Sequence, residues 1–318
     1  MTGYALRRLG TVLVALVVMS LLVFLGTHAL PSSPAALILG QYSTPETLAA
    51  LEHKLGLDLP LPLQYWRWAS ALLLGDMGQS LVMERPVAPM LWDGFGRSAV
   101  LAVAAMTVVA TVGVAMGVVA AVWRGKRPDH AVSIFAYLGI SMPEFYWNLV
   151  LILVFGGVFH LLPTSGSGDL GDGLARYASF LVLPVITLTL TLLAHVPWLT
   201  RSSMAEELDS MYVKVARARG VPERVVIVRH TLRNALVPTI TVLAQDFGFL
   251  IGGIVAIETI FACPGLGRLL IFALQRQDLP LMQAAILVLT AVYCLANLAA
   301  DLLYGVANPR IRYGGAVD

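Results

Sequence analysis

The sequence predicts an all-α, polytopic membrane protein with six transmembrane helices and both termini in the cytoplasm, and three observations carry that prediction. The first is composition: 58% of the 318 residues are apolar and 13% are charged, where a soluble domain holds roughly 45–50% and 25%. Mean hydropathy is +0.79. The second is the gathering of apolar residues into blocks at about 9–30, 98–123, 133–160, 179–199, 236–262 and 281–306, each close to the roughly 20 residues that cross a hydrocarbon core. The third is the placement of Lys and Arg. An even number of spans puts both termini on one side. That side holds Arg7, Arg8, Arg124, Lys126, Arg127, Arg310, Arg312 and the seven basic residues between 201 and 233. The other holds Lys54, Arg67, Arg85, Arg97, Arg176, Arg268 and Arg276. Cytoplasmic loops carry the positive excess, so the termini are expected inside.

The first block follows Arg7 and Arg8 as a signal peptide would, but its apolar run reaches Leu30, beyond the roughly 7–15 residues of a signal core. It is expected to be a retained span. Residues 31–97 form the longest hydrophilic stretch and are expected outside. Within them Thr44-Pro45-Glu46 starts a helix that carries Leu48, Leu51 and Leu55 on one face and stops at Gly56. A second short helix carries Tyr65, Trp66, Trp68 and Leu72. This segment is read either as a small cap with aromatics at the membrane interface or as a docking surface for an extracellular partner. Gly113 and Gly117, and Gly248 and Gly252, make G-x-x-x-G spacings that let helix backbones approach closely. Pro143, Pro184, Pro197 and Pro238 lie in or beside spans, where freed carbonyls need protein or water.

Residues 201–233 are the informative cytoplasmic segment. Met204, Leu208, Met211, Tyr212 and Val215 recur at helical spacing. Lys214, Arg217 and Arg219 fall in the last turns, where cations suit the helix dipole. Gly220 is the expected left-handed stop and Pro222 the first-turn residue of a following helix. The expectation is helix, sharp corner, helix, with an apolar stripe that the bundle end or another protein must cover.

The charge balance, 21 basic against 19 acidic residues, gives no reason to expect nucleic acid. Two cysteines, Cys263 and Cys294, fit neither a disulfide framework nor a cysteine zinc cluster. There is no G-x-x-x-x-G-K-[ST] loop, no H-E-x-x-H and no G-x-S-x-G, and the six histidines are scattered. No catalytic or metal-binding residue is therefore expected, and no cofactor within this chain. The ionisable residues inside spans are Glu144, His195, Asp246, Glu258 and Asp301. Asp246 falls near the midplane, about 15 Å from the start of its span at 1.5 Å per residue. An unpaired carboxylate there costs several kcal/mol unless water, a cation or a partner meets it. Asp246 and Glu258 are the candidate translocation-path residues, and a boundary anchor is the alternative for Glu258.

The run Tyr212-Val213-Lys214-Val215-Ala216-Arg217-Ala218-Arg219-Gly220, continuing to His230-Thr231-Leu232-Arg233-Asn234-Ala235-Leu236-Val237-Pro238, resembles the cytoplasmic signature of permease subunits of ABC importers in the dipeptide, oligopeptide and nickel group. The similarity extends from Tyr4 and Arg7-Arg8 to Asn308-Pro309-Arg310-Ile311-Arg312. It includes Leu55-Gly56-Leu57-Asp58, Gly139-Ile140-Ser141-Met142-Pro143, Glu258-Thr259-Ile260-Phe261 and Pro264-Gly265-Leu266-Gly267-Arg268. The wider importer signature, Glu-Ala-Ala, three residues, Gly, nine residues, Ile-x-Leu-Pro, is represented here by Lys214, Val215, Ala216, Gly220, His230, Leu232 and Arg233, a departure common in the peptide branch. Asn308 stands where relatives usually show Asp, and Asp246 where they are generally uncharged, often Gln.

The resemblance implies a type I ABC importer-like permease, one domain over 1–318, in the bacterial inner membrane. It also implies partners: a homologous second permease, two cytoplasmic ATPases that bind ATP and Mg, and an extracytoplasmic solute-binding protein. Met211, Tyr212, Val215, Ala216, Arg217, Ala218, Arg219 and Gly220 become the ATPase-coupling residues. The cargo class is a small solute, di- or oligopeptides first, with nickel, metallophore, opine or glutathione carried by similar subunits. The rival reading is a secondary transporter or channel that uses Asp246 as an ion or proton site.

Overall fold

The protein is described by a computed structural model that covers residues 2–29, 34–39, 44–166, 168, 171 and 173–307. Asn308, Arg310 and Arg312 lie outside the described residues. Among those described, the chain is helical with no strand, and Gln79 and Pro86 form an isolated bridge. In chain order the helices are α1 Thr2–His28, α2 Pro34–Leu39, α3 Pro45–Leu55, α4 Leu61–Leu73, α5 Val87–Val122, α6 Arg127–Ser141 and α7 Glu144–Leu151 with its π-helical extension Ile152–Val158. They continue with α8 Leu174–Leu192, α9 Val196–Leu208, α10 Met211–Ala218, α11 Glu223–Ile260, α12 Leu266–Arg276 and α13 Leu279–Ala307. Five stretches are long and apolar enough to cross a membrane, Leu6–His28, Val87–Val122, Leu174–Leu192, Glu223–Ile260 and Leu279–Leu302, and Phe145–Val158 is a shorter apolar helix.

Two apolar blocks are interrupted where the sequence reading drew them continuous. The block at 133–160 divides after Ser141, with Met142 extended at φ −113° and ψ 131°. Pro143 is the cause, since proline has no N–H to continue the ladder and pushes the preceding residue out of the helical region. The block at 179–199 stops at Leu192 and restarts at Val196, leaving His195 at the break, with Pro197 in the first turn of α9. Pro184 and Pro238, by contrast, lie inside continuous helices.

The chain packs as two compact units. One is built from Leu6–Ser98 and Pro264–Cys294, the other mainly from Ala99–Cys263 with the chain from Leu295 onward. In the first, Val87, Leu91, Leu266, Ala273, Leu281 and Ala285 form the core. Asp278, fully buried between α12 and α13, accepts the Ser80 hydroxyl and the amides of Leu81 (3.2 Å), Val82 (3.3 Å) and Leu281 (3.4 Å). These bonds tie the loop after α4 to the start of α13. The α3 helix starts and stops as its sequence requires: Thr44 caps the amide of Thr47 at 3.3 Å, and Gly56 takes φ 69°.

In the second unit Leu101, Ala105, Val109, Leu183, Leu188, Val196, Leu250, Ile254, Ile257 and Phe261 form the core. Helix α5 meets α9 at its glycines. A Cβ on Gly117 would lie 2.4 Å from Thr200 Cβ and 2.8 Å from the Pro197 carbonyl oxygen. One on Gly113 would lie 3.0 Å from Val196. The second glycine pair is unequal: Gly248 faces Asn297 at 2.8 Å, while Gly252 has nothing within 4 Å. Gly117→Ala is therefore expected to destabilise the protein by about 1–3 kcal/mol, the range for overpacking a close-packed contact, while Gly252→Ala is neutral. Denaturation midpoints of the two variants in detergent check this.

Candidate functional site

The corner between α10 and α11 forms as the residue types dictate. Helix α10 is eight residues long, Arg219 caps it, Gly220 takes φ 76°, and Pro222 opens α11. No atom stands within 4 Å of the place a Gly220 Cβ would occupy, so the left-handed backbone alone calls for glycine.

The apolar stripe differs from its sequence reading. Asp209 and Ser210 separate α9 from α10, so Met204 and Leu208 do not share a face with Met211, Tyr212 and Val215. Met204 is fully buried against Ala121 and Ala235, with Leu208 packed beside them. On α10 it is Val213, not singled out from the sequence, that is fully buried. Anchored there, the helix exposes Met211 at 73%, Tyr212 at 40% and Val215 at 43%. Ala216 is half-buried, and Lys214, Ala218 and Arg219 are exposed.

Two polar contacts brace this corner, and neither was foreseen. Arg217 donates Nη2 to Glu223 Oε1 at 2.6 Å and Nε to Oε2 at 3.1 Å, across the turn at Gly220. This bond holds the Glu223 carboxyl below its ordinary range, against a smaller opposing effect of burial. Such an exposed pair contributes roughly 0.2–1 kcal/mol. The Tyr212 hydroxyl donates to Glu207 Oε2 at 2.5 Å and accepts from Asn234 Nδ2 at 3.2 Å, latching α10 to both neighbours. Burial first, then the Glu207 carboxylate, raises the Tyr212 pKa.

On the first turn of α6 Asp129, 3% exposed, receives Nε and Nη2 of Arg201 (the latter at 2.8 Å) and the Gly125 amide at 2.8 Å. Arg124 adds an exposed bond to Asp209 at 3.3 Å. The loop between α5 and α6 is thus tied to the helix that leads into the corner. The Arg201 guanidinium chiefly, with the Gly125 amide, holds the Asp129 carboxyl at about 2 despite the upward push of burial. Because the folded value is depressed, the bond's stabilisation is complete above the ordinary carboxylate pKa of 3.8 and is lost as pH falls from there towards about 2. Asp129→Asn is expected to cost about 1.5–3 kcal/mol at neutral pH and to flatten the acid dependence of stability between pH 4 and 2. Acid titration of both proteins in detergent, followed by near-UV circular dichroism, measures it.

The carboxylate at Asp246 is not unpaired. It is 7% exposed on α11, and both its oxygens lie against His195 Nε2, at 2.9 and 3.0 Å. A carboxylate only accepts, so Nε2 carries the proton. Sequence spacing could not join residues 51 positions apart. The break after Leu192 places His195 at this depth, and a broken helix with a polar pair is tolerated there only within protein or beside water. His195 also lines a cavity of about 340 Å³ whose walls include Ser133, Ala136 and Tyr137 of α6 and Trp198 and Arg201 of α9. Nearby, Thr200 and Thr239 hydroxyls meet at 3.2 Å and join α9 to α11. Glu258 is not part of this group: it is 1% exposed near the end of α11, beside the core residue Ile257. Among the described residues no group of three or more His, Cys, Asp or Glu is arranged to hold a metal ion.

Residues 113–313 match the family described as "Binding-protein-dependent transport system inner membrane component", and residues 1–115 match its N-terminal companion, "Binding-prot-dependent transport system membrane comp, N-term". The chain is 39% identical over 313 residues to the "Glutathione transport system permease protein GsiC" of Escherichia coli (strain K12), covering 98% of this chain and all of that protein. It is 38% identical, with the same coverage, to the protein of that name from Salmonella paratyphi A (strain ATCC 9150 / SARB42). A solved structure titled "Crystal structure of an amino acid ABC transporter with histidines" aligns with a TM-score of 0.49 at 16% identity, covering 70% of this chain and 94% of that one.

Proposed function

Starting from a chain that belongs to the family of binding-protein-dependent transport system inner membrane components, a multi-pass permease component of ABC importers and not itself a catalyst, we propose that it translocates a small peptide-class solute delivered by a solute-binding protein. Glutathione, a tripeptide, is the solute in the names of relatives at 38 and 39% identity, and it falls within this class. The family places the chain outside the secondary-transporter and channel reading. On the proposed assignment the whole chain, 1–318, acts as one permease domain beside a homologous second permease. Two cytoplasmic ATPases bind ATP and Mg, and both termini face them.

The observation that carries the reading is the corner at Gly220. Three apolar side chains stand out from a short helix that Val213, Tyr212 and Arg217 hold in place. Met211, Tyr212 and Val215 would seat in a groove of the ATPase, with Ala216, Ala218, Arg217, Arg219 and Gly220 forming the rest of the contact and its angle. Closure of the ATPases would move this lobe, and the Asp129–Arg201 pair would pass the movement to the bundle as a switch between two packings. His195 and Asp246 would line the path, and residues 31–97 would receive the binding protein.

The test is uptake of labelled glutathione and of a dipeptide series by vesicles holding the full complex and its binding protein. ATP-dependent accumulation of one or more of them is the expected result. Uptake of nickel or an opine and of no peptide would assign another cargo class. Uptake without ATP would overturn the mechanism.

A further inference from the structure

Helix α4 has one charge in thirteen residues, Arg67, and two faces with different surroundings. Tyr65 and Trp68 turn towards α1. The Tyr65 and Ser20 hydroxyls lie 2.7 Å apart, the Phe24 ring centre is 5.4 Å from that of Tyr65 and 5.8 Å from that of Trp68, and His28 Nε2 is 2.9 Å from Gln64 Oε1. Ser20, Phe24 and His28 are spaced by four and form one stripe of α1. Helix α4 therefore packs on the flank of α1 and not across its end.

That flank has a depth. The apolar span is Leu6–His28, with its middle near residue 17. At 1.5 Å per residue Phe24 lies about 10 Å from the middle and His28 about 16 Å, and half a hydrocarbon core is about 15 Å. By the same count Ser20, which meets Tyr65, lies about 4–5 Å from the middle, so the contacts of α4 run from within the hydrocarbon to the level where acyl chains give way to head groups. Its other face carries Leu63, Trp66 and Leu73, at 42, 69 and 87% exposure, and Leu74, which caps the helix, is 88% exposed. The single charge, Arg67, is exposed beside Leu63, one turn further along. Arg67 Nη1 lies 3.3 Å from where a Cβ on Gly56 would stand, so the guanidinium reaches to the end of α3 as a long cationic side chain does at a membrane boundary.

We propose that α4 is an interfacial helix whose Leu63, Trp66, Leu73 and Leu74 are buried in the lipid bilayer. Its tryptophans and tyrosine, rings with a polar edge that gather at the membrane–water boundary, suit that position, and continuity with the flank of a membrane span fixes lipid as the occupant. The inference rests on Leu6–His28 being a span and does not depend on which side of the membrane receives the binding protein.

Nitroxide labels test it. Cys263 and Cys294 are replaced by Ser, and Leu73→Cys, Leu74→Cys and, as an exposed control on α3, Glu46→Cys are labelled singly. The full chain is placed in phosphatidylethanolamine–phosphatidylglycerol vesicles. The expected result is a higher ratio of oxygen to nickel-complex collisions at 73 and 74 than at 46. Nickel-complex access at 73 and 74 equal to that at 46 would mean a wet face and overturn the proposal. So would exclusion of both reagents, or protection from the nickel complex that appears only when the binding protein is added, since protein would then be the occupant.

Discussion

Gly220→Val leaves the chain inserted in the membrane and disconnects ATP hydrolysis from uptake. The position has φ 76° and open space around its missing Cβ, so valine meets no clash and acts only through the backbone. An L-residue in the left-handed region costs roughly 1–2 kcal/mol, more with a branched side chain, which lowers the population of the native corner about tenfold. No span is touched. The loss should therefore appear as weaker co-purification of the ATPases, or as hydrolysis without transport, and not as loss of the subunit. Asn, which tolerates this region, provides the control: Gly220→Asn should retain most of the coupled uptake. Tyr212→Phe removes the latch to Glu207 and Asn234 while keeping most of the exposed apolar surface, and Tyr212→Ala removes both, so the alanine variant should be the worse. Lys214→Ala, on an exposed side chain, should do little. Normal coupled uptake in both Gly220→Val and Tyr212→Ala would reduce the 201–233 segment to a solvated connector.

His195→Ala is expected to cost about 1–3 kcal/mol, because it leaves a carboxylate that is only 7% exposed without its partner, while His195 itself is partly exposed. The pair makes a sharper forecast than either residue alone. Replacing both, His195→Ala with Asp246→Ala, removes the stranded charge and should be less damaging than His195→Ala by itself. Additive losses in denaturation midpoints would deny the interaction. Function is read separately, through Asp246→Asn, which keeps the shape and removes the charge. Uptake should fall at least several-fold, or its preference among peptides should change. If rate and preference both stay the same across a peptide series, the pair is structural and does not line the path.

The sequence by itself determined the membrane class, the approximate location of five of the six apolar blocks, the one at 133–160 being divided into shorter helices at Pro143, and the order helix, corner, helix in residues 201–233. Each of these is a local or compositional property: a block of apolar residues about 20 long, or a glycine that alone takes a positive φ without strain. The α3 helix, from Thr44 to Gly56, was legible for the same reason, since cap and stop are made by neighbours in the chain. Gly113 and Gly117 announced a close helix contact, but not that Thr200 and Pro197 would be the atoms met. What only the tertiary structure decided lies between distant residues. The break at Leu192 brings His195 to Asp246, Arg201 to Asp129 crosses 72 positions, and Asp278 gathers amides nearly 200 residues away. Even within one segment, the turn at Asp209 and Ser210 separated Met204 from Met211 and buried Val213, because helical spacing places residues on one face only while the helix continues. Patterning says which side chains must be covered. Which polar groups end up facing one another depends on where the chain bends, and those bends are set by packing.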